Sequence, residues 1–355
     1  MNICLILHKY GVSLDDPCCY PIGYMYVSSY LKSIGHKVKV LNYNLWDYDL
    51  KEELKGQDVA GFTGFEEFKP YILRDEKICH DAKVQTMVGG ALATFGGIPE
   101  FVGLQYNGEV AVEKDINTYP LPDYEAFGID EYHKRHSIGY MGVLTSRGCP
   151  YSCTFCAQTC KFRLRRLGGV FDEIDTYLKN YKLDRIVFND NTLNINKPRF
   201  MRICSKMKVR GGWGAAIRCQ PFDEDMARAA KDSNCQYLVV GVESFNQEKL
   251  NRMNKKIRVQ QIVRTLDLLH KYKIDYHGNI LVGFEGETAS DIIDEMISVP
   301  TKYNLFPAMV QPFVGTSEGK NRSITPAEYA SLSDSFIAYA THRGKTYYPD
   351  LGERI

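Results

Sequence analysis

Three cysteines in one short stretch have a spacing that indicates metal chemistry. Cys149, Cys153 and Cys156 are separated by three and then two residues. An iron–sulfur cubane normally takes four ligands from the protein, so three thiolates leave one iron open for a non-protein ligand. An open coordination position is typical of a metal site that does chemistry rather than one that only holds the fold. The spacing therefore predicts a [4Fe–4S] cluster with one exchangeable position.

Two other interpretations of these cysteines stay open on spacing alone. A structural zinc site needs a fourth Cys or His nearby, and Cys160 lies four residues after Cys156. The chain also has 11 cysteines, so some of them can be ordinary buried side chains.

The residues around the cysteines resemble those of the radical S-adenosylmethionine (SAM) enzymes. Arg147-Gly148 precedes the first cysteine, Pro150 follows it, and the aromatic Phe155 precedes the third. The resemblance implies that the amino and carboxylate groups of SAM chelate the free iron and that Phe155 belongs to the SAM site. It also implies reductive cleavage of SAM to methionine and a 5′-deoxyadenosyl radical.

The composition is that of an ordinary globular protein. The 355 residues are 44% hydrophobic and 25% charged, with a formal net charge of +1, and the length suits two domains. There is no apolar run of about 18 residues and no basic-then-apolar leader, which predicts neither a membrane span nor a signal peptide. Scattered cysteines in odd number favour a reducing compartment. We therefore expect a cytoplasmic protein.

The first part of the chain predicts an α/β domain. Short apolar runs are expected to be strands at Asn2–Leu7, Lys37–Leu41, Val59–Thr63 and Val84–Val88, with a helix at Gly23–Ile34. Gly35 is expected to end that helix as a left-handed cap. Strands that alternate with helices favour a doubly wound, Rossmann-like parallel sheet, and we assign it to residues 1–125.

The remaining chain predicts six strand–helix pairs after the proline-rich boundary Tyr119–Asp123. The expected strands are Met141–Ser146, Arg185–Asn189, Trp213–Arg218, Tyr237–Val242, Tyr276–Val282 and Ala308–Pro312, and the expected helices lie near 170–180, 197–208, 223–233, 258–272, 288–298 and 326–342. Pro198, Asp223 and Thr288 stand where helices begin. Six units are too few for a full eightfold barrel, and the resemblance implies a partial (βα)6 barrel over residues 126–320. A short helical extension is expected over 321–355.

Polar residues at the ends of successive barrel strands are candidates for holding SAM. Asp190 ends the second strand, Arg218 the third, and Glu243 follows the fourth. Arg218 can pair with the SAM carboxylate through a bidentate fork, and Glu243 can accept hydrogen bonds from the ribose hydroxyls or the amino group. Ile280 in the fifth strand can offer backbone and apolar contact to adenine. The alternative for Asp190 is that it only caps the following helix.

Several N-terminal motifs resemble the cobalamin-binding class of radical SAM enzymes. They include Pro21-Ile22-Gly23, Val88-Gly89-Gly90 and Gly108-Glu109, and a further similarity lies at Phe284–Thr288. The resemblance implies a corrinoid at the strand ends of the first domain, near Thr63, Gly64, Gly89 and Gly90. Glycines there allow the backbone to approach the macrocycle closely. Methylation of an unreactive carbon is the implied outcome.

The sequence departs from that class at His8. The Asp-x-His-x-x-Gly motif of base-off cobalamin domains keeps only His8 and Gly11, with Ile6 in the place of the acid. A metal-ligating imidazole is normally oriented by such a carboxylate. We therefore expect His8 to lack a carboxylate partner and to be an ordinary loop histidine.

Three functions follow as hypotheses. The first is a cobalamin-dependent radical SAM methyltransferase acting on an unactivated carbon. The second is a radical SAM enzyme of the same architecture that catalyses a rearrangement, cyclisation, decarboxylation or oxidation, with a vestigial or structural N-terminal domain. The third is a non-catalytic iron–sulfur or zinc protein. A methylthiotransferase is disfavoured because the N-terminal cysteines Cys4, Cys18, Cys19 and Cys79 form no second cluster motif.

The expected partners are a small-molecule or short-peptide substrate and an electron donor such as flavodoxin or ferredoxin. The short stretch after Tyr303 favours such a substrate over a macromolecule, and Tyr140, Tyr276 and His277 are candidates for hydrogen bonding or radical relay. Nucleic acid is not indicated, because too few aromatic residues alternate with the basic ones that follow the cysteines. Those basic residues are Lys161, Arg163, Arg165 and Arg166.

Overall fold

The computed structural model describes residues 1–9, 21–64, 68–95, 98, 100–105, 115–136, 140–156, 161–181, 184–310, 316 and 331. These residues form two compact units: the first takes in Met1–Gly142 with Asp175–Leu183, and the second Val143–Ile174 with the chain from Asp184 onward. The domain limits expected at residues 125 and 320 stay predictions. The expected C-terminal extension, 321–355, lies outside the described residues apart from Ser331.

The first unit is built on a five-stranded parallel sheet with strand order β2-β1-β3-β4-β5. Its strands are β1 (Asn2–Leu7), β2 (Lys37–Asn42), β3 (Val59–Thr63), β4 (Gln85–Gly89) and β5 (Leu104–Gln105), and its helices are α1 (Ile22–Ser33), α2 (Leu50–Glu53), α3 (Lys69–Asp81), α4 (Gly90–Phe95) and α5 (Ile129–His136). The predicted Rossmann-like sheet is confirmed.

The order of the first sheet reverses beside β1, which pairs with β2 on one side and β3 on the other. Ligands of doubly wound sheets bind at such a switch point, beyond the carboxyl ends of the strands. β1 itself is buried along nearly its whole length, as its apolar sequence predicts. Gly35, with φ of +90°, ends α1 as the predicted left-handed cap.

The second unit contains a six-stranded sheet in which every strand neighbours the next one along the chain. The sheet comprises β6 (Tyr140–Val143), β9 (Arg185–Phe188), β10 (Trp213–Arg218), β11 (Cys235–Glu243), β12 (Asp275–Val282) and β13 (Leu305–Met309), with the antiparallel pair β7 (Ser146–Arg147) and β8 (Arg163–Leu164) beside the cysteines. The helices are α6 (Leu167–Asn180), α7 (Lys197–Lys206), α8 (Glu224–Asp232), α9 (Gln247–Arg252), α10 (Val259–Lys271) and α11 (Ala289–Ser298). This βα repeat is the predicted partial barrel.

The starts of the barrel helices follow the predicted cap residues. The Asp223 side chain accepts a hydrogen bond from the Met226 amide of α8, and Thr288 forms a reciprocal capping box with Asp291 at the start of α11. Pro198 lies in the first turn of α7, where its missing N–H leaves no helical hydrogen bond unmade. The helix expected at 326–342 falls outside the described residues apart from Ser331.

Two predicted strands differ from the structure. The strand expected at Ala308–Pro312 lies at Leu305–Met309 and includes Pro307. β13 is an edge strand, where a proline without an N–H is tolerated. The strand expected at Met141–Ser146 ends at Val143, because the Thr145 amide donates to the Asp190 carboxylate instead of continuing a ladder.

Five of the helices, α2, α3, α4, α5 and α9, are not among the predicted elements. Most of them are short, and α5 is strongly polar, so their apolar periodicity is weak. In the part of the chain that the structure describes, no helix combines the length and the apolar character needed to cross a bilayer.

Candidate active site at the cysteine loop

Cys149, Cys153 and Cys156 lie on one surface loop that follows β7. None of the three is in a disulfide; Cys149 and Cys153 are half-buried and Cys156 is exposed. Gly148, with φ of +76°, starts the loop in a left-handed conformation that favours glycine. The Cys156 amide donates to the Cys153 carbonyl at 3.1 Å, which closes a tight turn between the second and third cysteine.

The three thiols fit a cluster in their chemistry. The pKa of the Cys156 thiol is raised, first by local desolvation and then by the negative charge that Cys153 and Cys149 would carry. Thiolates that repel one another in this way are stabilised by a bound cation. Among the described residues no three His, Cys, Asp or Glu side chains are already arranged around a metal position. The fourth cysteine considered for zinc, Cys160, is not among the described residues.

Arg218 lies beside the cysteine loop at the carboxyl end of β10. Its Nη1 is 3.8 Å from Cys153 Sγ, and its guanidinium carbon lies 4.0 Å from the centre of the Tyr151 ring. The side chain is 4% exposed, and its Nη2 has no hydrogen-bond partner within the described part of the chain. A buried guanidinium nitrogen without a partner is costly, and a bound carboxylate would satisfy it.

Asp190 is fully enclosed and braces the segment that leads into the loop. Its carboxylate accepts from the Thr145 amide at 3.1 Å, from Thr145 Oγ1 at 3.2 Å and from the Ser146 hydroxyl. Burial raises the pKa of Asp190 to about 6, and these donors only partly offset that rise. The cap of α7 is Asn196, so Asp190 is not a helix cap. Its role toward SAM stays a prediction.

Glu243 ends β11 in a left-handed conformation with φ of +68°, which is unusual for a residue with a side chain. Its Oε1 lies 2.6 Å from the Nζ of Lys255, which is itself buried. Lys255 is absent from the predicted site residues, because its sequence position after α9 gives no sign that its side chain is buried.

Phe155 and Ile280 lie near the same end of the sheet but differ in accessibility. Phe155 is half-buried and packs against the small core of Met253, Phe284 and Val310. Ile280 belongs to the fully buried face of β12, so any contact with adenine would be made by its backbone. Both assignments to the SAM site stay predictions.

Two of the three candidate relay residues take different faces of β12. Tyr276 lies on the buried face, and its hydroxyl accepts from the Asn304 amide at 3.4 Å. His277 lies on the opposite face, where Nδ1 bonds to the Tyr237 hydroxyl, and burial lowers its pKa to about 4. His277 is therefore neutral at physiological pH. Tyr140, the third candidate, is buried in β6.

The corrinoid candidates lie at the carboxyl edge of the first sheet. A Cβ on Gly64 would come within 2.7 Å of Phe68, and one on Gly90 within 2.3 Å of Thr63 Oγ1, so the lack of a side chain at each glycine makes room for a neighbouring side chain of the same chain. A Cβ on Gly89 would meet none of the described residues within 4 Å. Open space at Gly89 fits the close approach of a planar ligand. The Gly108-Glu109 motif lies outside the described residues.

The expectation that His8 lacks a carboxylate partner is wrong. His8 Nε2 lies 2.9 Å from Asp75 Oδ2, and both residues are buried. Asp75 comes from α3, 67 residues along the chain, and it also binds Arg74 at 2.7 Å. The His8 ring lies parallel to Phe62 at 6.0 Å, and its Nδ1 is buried without a partner among the described residues. Asp75 is the kind of carboxylate partner that orients a metal-ligating imidazole, and Nδ1 is the ring nitrogen left for a further ligand.

Comparison with known proteins agrees with this geometry. Residues 143–296 match the family model of the Radical SAM superfamily. A protein named "Uncharacterized methyltransferase PH0819", from Pyrococcus horikoshii, is 29% identical over 247 residues, which is 63% of this chain and 54% of the relative. The chain spans about half the length of the curated relatives it matches.

Two solved structures share the fold over most of the chain. The radical SAM methyltransferase TsrM from Kitasatospora setae, with tryptophan and a SAM analogue bound, has a TM-score of 0.70 at 16% identity and covers 90% of this chain and 75% of its own. The cobalamin-dependent radical SAM enzyme OxsB, with aqua-cobalamin and SAM bound, has a TM-score of 0.72 at 16% identity and covers 95% and 56%. At this identity the likeness establishes a common architecture. Residues 143–296 therefore match the Radical SAM superfamily, and the chain shares the fold of TsrM and OxsB.

Proposed function

We propose that this chain cleaves SAM at a [4Fe–4S] cluster held by Cys149, Cys153 and Cys156 and uses cobalamin to methylate an unactivated carbon. When bound, the cluster supplies the electron that splits SAM into methionine and a 5′-deoxyadenosyl radical, and the corrinoid supplies a methyl carrier. The match of residues 143–296 to the Radical SAM superfamily and the fold shared with TsrM and OxsB support the proposal.

The observation that carries the SAM site is Arg218. Its buried Nη2 lacks a partner in the described structure, and its Nη1 approaches Cys153 Sγ at 3.8 Å. A carboxylate that chelates the open iron would lie within reach of this guanidinium. Arg218 would bind the methionyl carboxylate of SAM, and Glu243 would accept hydrogen bonds from the N–H and O–H groups of SAM. Asp190 would fix the segment Thr145–Ser146 that leads into the cysteine loop.

The deciding experiment is the cofactor content of protein purified without oxygen from cobalamin-replete cells. We expect iron, sulfide and near-stoichiometric corrinoid, together with 5′-deoxyadenosine formation on addition of SAM and a reductant. Iron and SAM cleavage without corrinoid would refute the methyl-transfer proposal. Protein without iron, or without SAM cleavage, would refute the radical SAM assignment of the site.

A second candidate is a radical SAM enzyme that performs a rearrangement, cyclisation, decarboxylation or oxidation without a corrinoid. The state of the first sheet edge favours it, because the space beside Gly64 and Gly90 is filled by neighbouring side chains of the same chain. Iron-replete protein that cleaves SAM but binds no corrinoid would select this candidate.

The remaining partners of the proposal are a small-molecule or short-peptide substrate and a flavodoxin- or ferredoxin-type electron donor. An electron donor is needed because none of the described side chains supplies an electron of low potential. SAM cleavage driven by reduced flavodoxin at a rate comparable to that with dithionite would support this part. SAM cleavage with dithionite but not with reduced flavodoxin would argue against a flavodoxin-type donor.

A further inference from the structure

Lys255 is a buried lysine at the edge of the candidate SAM site. The residue is 5% exposed, and its Nζ lies 2.6 Å from Glu243 Oε1. An ammonium group leaves water only at a large desolvation cost, so a buried lysine needs a fixed anionic partner. The Glu243–Lys255 pair is therefore a largely buried ion pair, unlike an exposed surface salt bridge.

The segment that carries Lys255 is tied directly to the cysteine loop. The Met253 carbonyl accepts from the Thr154 amide at 3.0 Å. The side-chain Nδ2 of Asn254 donates to the Ser152 carbonyl at 2.8 Å and to the Ser152 hydroxyl at 2.9 Å. One short segment thus contacts the loop between the cysteines and, through Lys255, the carboxylate at the end of β11.

The backbone around Lys255 is held in an unfavourable conformation. Asn254 and Lys256, on either side of it, have φ of +51° and +54°. Side chains other than glycine enter this region at an energetic cost, which persists only where surrounding contacts fix it. The two turns direct Lys255 inward while its neighbour Lys256 stays exposed.

Gly241 leaves space beside the Glu243–Lys255 ion pair. A Cβ on Gly241 would lie 2.9 Å from Lys255 Nζ and 3.1 Å from Glu243 Oε1, so a side chain at position 241 would displace the charged ends of the pair. Gly241 is also the residue in register with Arg218 on the adjacent strand. The ion pair and the unsatisfied guanidinium therefore occupy neighbouring strand ends.

We infer that Lys255 is a positioning residue of the SAM site, which fixes the Glu243 carboxylate in the orientation that accepts hydrogen bonds from SAM. The inference rests on the proposed function. It assigns the carboxylate of SAM to Arg218 and its hydrogen-bond donors to Glu243, with Lys255 acting through Glu243 and not on SAM itself. The segment 253–255 couples that orientation to the loop that carries the cluster ligands.

The test is the SAM affinity of reconstituted protein, measured by anaerobic equilibrium dialysis with labelled SAM. Lys255→Met is expected to weaken binding about tenfold, the amount that follows from losing a charge-assisted hydrogen bond. Lys256→Met is the matched control, because it removes the same charge from an exposed neighbour, and it should leave affinity unchanged. The SAM-induced change in the EPR spectrum of the reduced cluster should be lost in Lys255→Met and kept in the control.

A double variant separates the positioning role from a merely structural one. If Lys255 acts through Glu243, Lys255→Met/Glu243→Gln binds SAM no more weakly than Glu243→Gln alone. Iron loss in Lys255→Met that is restored in the double variant also supports the inference, because it traces the defect to an unpaired carboxylate. Wild-type affinity in Lys255→Met, further weakening in the double variant, or iron loss in the double variant would each overturn it.

The assay also keeps this inference distinct from the proposed function. SAM binding needs neither corrinoid nor methyl acceptor, so it is measured before either is identified. Wild-type protein that holds iron and fails to bind SAM would defeat the proposed function. Wild-type protein that binds SAM as tightly as Lys255→Met would defeat only the role of Lys255.

Discussion

The carboxyl edges of the two parallel sheets differ in what their polar groups still lack. At the second sheet Arg218 keeps a guanidinium nitrogen without a partner in the described structure, and three free thiols share one loop beside it. At the first sheet His8 Nε2 is bound to Asp75, its buried Nδ1 also has no partner in the described structure, and Gly64 and Gly90 lie against side chains of their own chain. The second edge therefore combines an unpaired guanidinium nitrogen with three free thiols, whereas the first combines an unpaired imidazole nitrogen with the open space at Gly89.

Two buried carboxylates, Asp75 in the first unit and Asp190 in the second, have pKa values shifted in opposite directions. Burial alone would raise the pKa of Asp75, but hydrogen bonds from His8 and Arg74 outweigh it, and the net pKa lies below the usual range. Burial dominates at Asp190, whose partners are hydroxyl and amide groups, and its pKa rises to about 6. The direction of each shift depends on whether hydrogen bonds and charges from the partners outweigh desolvation.

The largest effect is expected at the cysteine loop. Replacing Cys153 by Ala should reduce iron content to background and abolish SAM cleavage, since two thiolates cannot retain the cubane. Iron and sulfide analysis after anaerobic reconstitution measures this. Cys204→Ala, a buried free cysteine of α7, is the control and should retain iron. Full iron in the Cys153 variant would remove this edge from consideration as a cluster site.

The next effect concerns the first sheet edge. Asp75→Ala should lower the free energy of unfolding of the first unit by about 3 kcal/mol, because it leaves His8 buried without its partner. Urea denaturation followed by tyrosine fluorescence reports the shift. The exposed Asp81→Ala, on the same helix, should change stability little. Equal free energies of unfolding of the two variants would show that the His8–Asp75 pair does not stabilise the first unit.

A smaller effect separates the two carboxylates by pH. Because the folded pKa of Asp190 is raised, its stabilising contribution is present below its unfolded pKa and is lost as the pH rises through about 6. Wild-type protein should lose about 2 kcal/mol between pH 4.5 and 7 relative to Asp190→Asn. Asp75 has the opposite sign, since its contribution is lost as the pH falls through its lowered pKa. Thermal unfolding of both Asn variants from about pH 3 to pH 7 distinguishes the two slopes, because the contribution of Asp75 is lost only below the ordinary Asp pKa of about 3.9.

Local sequence patterns were sufficient for most of the sheet framework. Apolar runs ended by glycine or a polar residue place β1, β3 and β10 correctly, and cap residues place the starts of α8 and α11. The predicted bounds of β13 differ from the observed ones because Pro307 lies inside the strand. A proline is tolerated there because β13 is at the edge of the sheet, and the edge position cannot be read from the strand's own sequence. Short polar helices such as α5 lack the apolar periodicity on which such predictions depend.

The site was predictable only where its residues follow a local pattern. The three cysteines and the strand-end residues Arg218 and Glu243 can be located from spacing and from strand ends. Lys255 cannot, because its burial depends on two left-handed residues and on hydrogen bonds to a loop about 100 residues earlier. Asp75 could not be predicted as the partner of His8 either. The Asp-x-His-x-x-Gly motif places the acid two residues before the histidine, whereas Asp75 comes from α3.

The smallest effect tests whether the open space at the first sheet edge takes a corrinoid. Gly89→Val should leave the fold intact, because its Cβ meets none of the described residues within 4 Å, and should reduce bound corrinoid about tenfold if the macrocycle approaches there. Gly90→Ala is the informative comparison, since its φ of +77° and the nearby Thr63 hydroxyl make any side chain destabilising. Corrinoid absorbance and thermal unfolding of both variants then separate loss of a ligand contact from loss of the fold. Unchanged corrinoid in Gly89→Val would place the macrocycle away from this glycine.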